Sequence, residues 1–361
     1  MRRWLLVNAD KSDSNALQVG GIPFSLISMV AISSIFLFFR YLFQGNQAEI
    51  LHYALYSWIG ILVYGYLDDK YEIRPVVKLA SQMFLISIFC LKASQLIYPQ
   101  NSAIAFLWML FFSTAVVNGS NLIDGLDTIS FKVSSVIYLA FLVLAAPVQN
   151  LPALFISCAC FFHMCGFYFF NREPAKIHLG EVGVSCLGFS YIVLGVLTYE
   201  RYAHFNPSLS ALSKALFPCV LPLVELTSSF LRRLLTGKAA FKGDRLHIHH
   251  ILHDVKELSA STASSLIGGF YFVYVIICLM LMEYYSSEIS FMVLVFLTSV
   301  TYLLVGWKTW FVGKLHINIF QLLLVKKEVR IISSDTLSDF SISINKPDAP
   351  DKRLFKTSDD T

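Results

Sequence analysis

The sequence is short of charge. Only 14% of its 361 residues are Asp, Glu, Lys or Arg, against about 25% in an ordinary soluble domain, which argues against a water-soluble enzyme of this length. Nor is there an excess of one sign that would call for a nucleic-acid partner, since 28 Lys and Arg face 24 Asp and Glu for a net charge of +4. The seven cysteines (Cys90, Cys158, Cys160, Cys165, Cys186, Cys219, Cys278) contain no CxxC pair. Nearly all lie inside apolar runs, so they read as buried reduced thiols and not as a disulfide framework or a metal site. No cleavable leader is expected, because the apolar stretch after Arg3 stops at Asn8. No segment repeats at a fixed period, and the composition excludes collagen-like, disordered and disulfide-scaffold classes.

Apolar residues are what the chain has in quantity: 56% hydrophobic and 15% aromatic, with 31 Phe and 17 Tyr. Crossing the hydrocarbon takes about 20 mostly apolar residues. Ten segments meet that length, near 23–43, 48–67, 79–97, 101–117, 131–148, 151–170, 182–200, 209–231, 263–284 and 288–307. The expected fold class is all-α: a polytopic membrane protein of about ten transmembrane helices. Its divisions would be an N-terminal segment 1–22, a transmembrane domain 23–307 and a basic tail 308–361. The connectors alternate between short, featureless ones and long polar ones, and ten spans put every polar connector on one side. All Lys and Arg except Arg40, Lys92, Arg201 and Lys214 go with that side, so the positive-inside rule places it in the cytoplasm. In the tail, the stretch from Lys308 to Arg330 is basic and partly amphipathic, suited either to the inner leaflet or to solvent, and the end is polar.

Four polar connectors carry the chemistry. Asp68 and Asp69 end a transmembrane helix, with Lys78 ten residues beyond Asp68. Neighbouring helical positions point about 100° apart, so the two carboxylates should differ in role, one towards a metal or nucleophile and one towards the scaffold. In the second, Asn121, Asp124 and Asp127 recur every three residues and share one helical face. Their oxygens suit a hard cation; turn chemistry is the plainer reading. The third runs from Asn171 through Lys176 and His178 to Glu181, where Gly180 and Gly183 let backbone approach a ligand and Lys176 offers a point charge to phosphate.

The fourth holds Arg232 and Arg233, then Lys242, Asp244, Arg245, His247, His249 and His250. Zinc is one reading of the histidines, but no cysteine or glutamate stands at zinc spacing. With the arginines close by, an anion site for a diphosphate is preferred. Glu225 lies in an apolar run, where an ionisable group costs roughly 2.5–3.5 kcal/mol and marks a functional site by default. Carboxylates and an amide for a cation, with Arg, Lys and His for phosphate oxygens, together describe phosphoryl transfer.

These motifs resemble the polyprenyl-phosphate N-acetylhexosamine-1-phosphate transferases (glycosyltransferase family 4), from about Gly20-Gly21 to His250. Asp68-Asp69 is similar to the family's Asp-Asp motif and Asn121 to Asp127 to its Asn-x-x-Asp-Gly-x-Asp motif. Asn171 to Gly183 is similar to its Asn…Pro-Ala-Lys…Gly-Asp-x-Gly loop. Asp244-Arg245-x-His247-Ile248-His249-His250 resembles the histidine motif of the N-acetylglucosamine branch. The resemblance implies a magnesium enzyme (manganese being an alternative) that takes a UDP-activated N-acetylamino sugar and undecaprenyl phosphate within the membrane lipid. It implies a multi-pass protein of a bacterial inner membrane with its site facing the cytoplasm, and leaves a homodimer open.

By position, Asp68 would be the base or positioning carboxylate with Asp69 its partner. Asn121 and Glu181 would hold the metal, and Asp124 and Asp127 would line the catalytic site. Asn171 would meet the uracil, while Lys78, Lys176, Arg245, His247, His249 and His250 would contact phosphates or sugar. The sequence departs from the family where Glu181 and Glu225 replace Asp, Val184 replaces Ser, His178 replaces an aromatic residue and Leu17-Gln18 replace Pro-Arg. Family members also usually carry a further helix before Gly20-Gly21, so either the start is misassigned or one lipid-facing wall is lacking. These departures keep open a second class of reading, a non-catalytic binding or assembly subunit; a transporter ranks third, because the acids sit mostly in loops.

Overall fold

A computed structural model describes residues 17–38, 46–97, 99–205, 209–237 and 245–307. Within the described residues, each of the ten expected spans falls on helix. In chain order these are α1 (Gly21–Phe38), α2 (Gln47–Tyr71), α3 (Pro75–Ile97), α4 (Ser102–Ile123), α5 (Ile129–Ala145), α6 (Leu151–Asn171) and α7 (Gly180–Phe205). The eighth is broken: α8 (Leu209–Leu216) and α9 (Val220–Leu235) are joined through a 3-10 turn at Phe217–Cys219, where Pro218 interrupts the α-helical ladder. Then come α10 (Ala260–Tyr284) and α11 (Ser287–Trp307). Among the described residues eight helical segments are long and apolar enough to cross a membrane, whereas Gly21–Ser34 and Ile129–Ala145 are shorter apolar helices. The protein is therefore an all-α, multi-pass membrane protein, with eight rather than ten full-length candidates. Residues 1–16 and the tail from 308, like Lys242 and Asp244, lie outside the described residues.

The bundle winds round α7, whose residues from Val182 to Tyr199 are almost all buried. A helix that is apolar on every face belongs in such a place. Close approach at its start depends on glycine: a Cβ on Gly21 would lie 2.0 Å from Gly183 N, so α1 and α7 touch backbone to backbone. The outer helices turn Phe84, Trp108, Phe111, Phe162, Met280 and Phe296 outward, the side that lipid would solvate. Several polar groups inside find partners within the bundle, as lipid favours. Trp58 Nε1 donates to Ser25 Oγ at 2.9 Å and Tyr138 shares a hydrogen with Ser190 at 2.7 Å.

At one end, Gln47 Nε2 donates to Asn150 Oδ1 (3.3 Å) and Glu200 Oε2 (3.2 Å), tying α2, α6 and α7. At the other, a two-residue parallel pairing of β1 (Leu17–Gln18) with β2 (Ile177–His178) continues as Gly20 and Gly21 N–H groups donate to His178 and Leu179 carbonyls at 2.9 Å. It pins the segment before α1 to the loop that carries Glu181.

Candidate active site

Helix ends supply the acidic half of the site. The expected span 48–67 stopped short of Asp68 and Asp69, but α2 continues to Tyr71, so both lie in its last turns. Asp69 reaches the start of α7: Oδ1 accepts from Glu181 N at 2.7 Å and Oδ2 from Val182 N at 3.2 Å. A carboxylate there satisfies two of the helix's unpaired donors and complements its dipole. Gly180 must be glycine, because its φ is +69° and a Cβ would sit 2.9 Å from Asp69 Oδ2.

Asp68 points elsewhere, as adjacent helical positions must. Its Oδ1 accepts from Ile73 N at 2.8 Å and its Oδ2 lies 3.1 Å from Lys78 Nζ. Lys78, in the first turn of α3, also contacts Glu181 Oε1, and Glu181 Oε2 accepts from Asn121 Nδ2 at 3.0 Å in the last turn of α4. One chain of contacts, Asp68–Lys78–Glu181–Asn121, thus joins four helix ends.

Asp124 and Asp127 follow α4. Ser130 Oγ donates to Asp124 Oδ1. Part of the Asp124 surface stays accessible, yet protein atoms crowd its carboxyl, and burial raises its pKa against the lowering effects of Ser130 and His178. Asp127 works as a strut: its Oδ2 accepts from Ala175 N at 2.9 Å and its carbonyl from Ser264 Oγ of α10 at 2.8 Å. Asn171 is a second strut, buried, with Oδ1 accepting from Thr128 N (2.8 Å) and Nδ2 donating to Ile177 O (2.9 Å). Its amide is spent on bracing the second and third connectors, where the resemblance implies a uracil contact. Lys176 turns its side chain to solvent, while its carbonyl accepts from Leu17 N at 3.0 Å.

The histidines form the other half. Ile248–His250 is a single helical turn continued by a π turn over Ile251–Val255. His247 Nδ1 sits 2.7 Å from Glu225 Oε1. Its ring lies parallel to that of His249, with centroids 5.7 Å apart, and His249 stands 4.3 Å from His250. His249 is pressed against the second connector, since a Cβ on Gly125 would fall 2.1 Å from its Nε2. It is buried, and among the described residues neither ring nitrogen makes a hydrogen bond. Burial, with help from His250, His247 and Arg245, holds it well below the usual imidazole range, and burial with Arg245 lowers His250 to about 4. Both rings are therefore neutral near pH 7. Arg245 is mostly exposed and forks onto Asp254 at 3.1 and 3.2 Å, which lowers the Asp254 pKa. The expected site residues thus divide: Asp68, Lys78, Glu181 and Asn121 form one connected group, His249 abuts Gly125 in the connector that follows Asn121, and Lys176 and Arg245 make their described contacts elsewhere.

The sequence reading missed Ser130 on Asp124, and Ser229 and Tyr302 on Glu225. Ser229 stands one helical turn beyond Glu225, a spacing that could have found it, whereas nothing announces Tyr302, inside an apolar run far along the chain. As for a metal, Asn121 and Glu181 stand side by side, and with Asp68 they offer only oxygen, the donor type that magnesium takes. Lys78 lies between the two carboxylates, and among the described residues no group of three or more His, Cys, Asp or Glu converges as metal ligands. The donor chemistry fits a hard cation, which would share Glu181 with Lys78 or displace it.

Fold and site together define a multi-pass helical membrane protein with an acidic and a histidine cluster at one end of the bundle. The resemblance to the polyprenyl-phosphate sugar-1-phosphate transferases is borne out, since residues 51–199 match the family model described as glycosyl transferase family 4. The chain is 29% identical over 211 residues to a Bacillus subtilis protein named probable undecaprenyl-phosphate N-acetylglucosaminyl 1-phosphate transferase, covering 53% of this chain and 55% of that one. It is 25% identical over 237 residues to the undecaprenyl-phosphate alpha-N-acetylglucosaminyl 1-phosphate transferase of Haemophilus influenzae, covering 59% and 63%. To the phospho-N-acetylmuramoyl-pentapeptide-transferase of Microcystis aeruginosa it is 27% identical over 260 residues, covering 66% and 69%. The match to the Bacillus protein thus spans little more than half of that protein's length.

Proposed function

We propose that this protein transfers an N-acetylhexosamine 1-phosphate, most simply N-acetylglucosamine 1-phosphate, from its UDP-sugar to undecaprenyl phosphate. The setting would be the cytoplasmic face of a bacterial inner membrane, at the first membrane step of a surface polysaccharide such as an O-antigen. The observation that carries this reading is the Asp68–Lys78–Glu181–Asn121 chain, which gathers acid, base and amide from four helix ends at one point. The names of the relatives support it.

In the reaction a lipid-phosphate oxygen attacks the β-phosphorus of the UDP-sugar, the bond to the bridging oxygen breaks, and UMP leaves with that oxygen. Asp68, fixed by Ile73 N and Lys78, orients the lipid phosphate or takes its proton. Lys78 is placed to balance the charge of incoming phosphate as its contacts to the two carboxylates loosen. Asp69 acts at a distance, by fixing the first turn of α7 and with it Glu181. The neutral His249 and His250 leave ring nitrogens for polar atoms of the substrate. Magnesium, held by Glu181 and Asn121 when bound, would supply Lewis-acid neutralisation of the diphosphate.

The test is UMP release from purified protein with undecaprenyl phosphate, magnesium and a panel of UDP-N-acetylamino sugars. Release that needs both lipid and metal, with one sugar preferred, supports the reading and names the donor. A folded protein that binds UDP-sugar yet releases nothing would favour the non-catalytic subunit, to which the Lys78 bridge across the expected metal ligand also lends itself.

A further inference from the structure

A carboxylate inside a membrane helix needs partners for both oxygens, and Glu225 draws them from three elements. Its Oε1 lies 2.7 Å from His247 Nδ1 and accepts from Ser229 Oγ at 3.4 Å, while its Oε2 accepts from the Tyr302 hydroxyl of α11 at 2.6 Å. Glu225, Tyr302 and His247 are 1%, 3% and 6% exposed, so water does not compete for these bonds. The contact with Glu225 holds the His247 ring through Nδ1. From His247 the contact passes by parallel stacking to His249, and from His249 to Gly125 between Asp124 and Asp127.

We infer that Tyr302 and Glu225 are positioning residues for His247: the phenol fixes one carboxylate oxygen, which fixes the other, which sets the imidazole. A tyrosine with no such duty could satisfy its hydroxyl on a backbone carbonyl, as Tyr271 does on Pro218 O at 2.9 Å and Tyr202 on Leu144 O at 2.8 Å. Tyr302 instead anchors a titratable side chain, and it does so from beyond the residues 51–199 that match the family model. The inference rests on the transferase reading above.

Tyr302→Phe keeps the ring and removes the bond. In the UMP-release assay it should lower kcat about tenfold, the scale of losing an orienting partner, with KM for the UDP-sugar unchanged. Glu225→Gln, which is isosteric, should lose as much or more, and adding Tyr302→Phe to it should cost nothing further. Thr301→Val removes a hydroxyl from the same helix, one bonded to Tyr274 at 2.8 Å, and should turn over like the parent. Parental kcat in Tyr302→Phe, or losses that multiply in the double variant, would overturn the inference and leave the transferase standing. Should Tyr302→Phe not fold, Glu225→Gln carries the same expectation of lost kcat at constant KM.

A parent that releases no UMP refutes the transferase reading instead. The relay is then read from the rate at which diethylpyrocarbonate modifies His247, followed by peptide mass spectrometry. That rate should rise several-fold in Tyr302→Phe while His253 is unchanged, and equal rates overturn the relay.

Discussion

Asp68 and Asp69 are adjacent in sequence and separate in duty. Asp68→Asn should abolish transfer, a loss of at least about 100-fold, with little change in melting, because its amide oxygen can still accept from Ile73 N. Asp69→Asn turns an N–H of its own against a backbone N–H at the start of α7 and should cost about 1–3 kcal/mol. It should therefore lower the melting temperature as well as activity; equal melting of the two variants in detergent would contradict the split. His250 gives a second prediction at this scale. Its pKa falls from the ordinary 6.5 to about 4 in the fold, so the unfolded chain binds the extra proton between those values. Its contribution makes stability fall as pH drops from about 6.5 to about 4. His250→Asn should flatten the melting curve against pH over that window, whereas Asp124→Asn, whose raised pKa acts in the opposite sense, should steepen it.

Helices bring these residues together, and here the sequence was only partly legible. Length and hydropathy located the helices, though only eight segments among the described residues are long enough to cross, because the requirement of lipid for about 20 apolar residues is coarse and strong. The ends were not legible, and the site is made of ends. The span expected at 101–117 runs on to Ile123, taking Asn121 into the last turn of α4, and the one expected from 182 begins at Gly180, placing Glu181 in the first turn of α7. Hydropathy fades at polar residues, but the helical ladder persists where neighbouring helices complete its hydrogen bonds. The four motifs were readable as types of chemistry. Their pairings were not, because Lys78 to Glu181 and Tyr302 to Glu225 join residues about a hundred and nearly eighty positions apart. Backbone contact between elements makes its own prediction. Gly125→Ala, with a Cβ 2.1 Å from His249 Nε2, should displace the histidine turn and lower activity far more than melting, which UMP release and a melting curve on the same sample would separate.

For the whole molecule, α7 is the buried axis and the other helices are arranged around it, with polar ties at both ends. The Gln47–Asn150–Glu200 contacts hold the end away from the site, and the acidic chain with the histidines holds the other. Metal removal should leave the fold alone: treatment with a chelator is expected to stop transfer while the melting temperature stays within about 1 °C, since a cation present near its dissociation constant stabilises by only RT ln 2, about 0.4 kcal/mol. A large drop in melting on chelation would show that the cation is part of the scaffold.

Lys78 has a consequence for how the protein is made. Asp68 and Glu181 are acids delivered by different helices to one place, and their repulsion would oppose that meeting if nothing opposed the charge. The chain carries the opposing charge itself, on α3, synthesised between the two acids. The helices can thus be inserted and packed as they emerge, before any ion or lipid phosphate arrives, and biogenesis does not wait on supply.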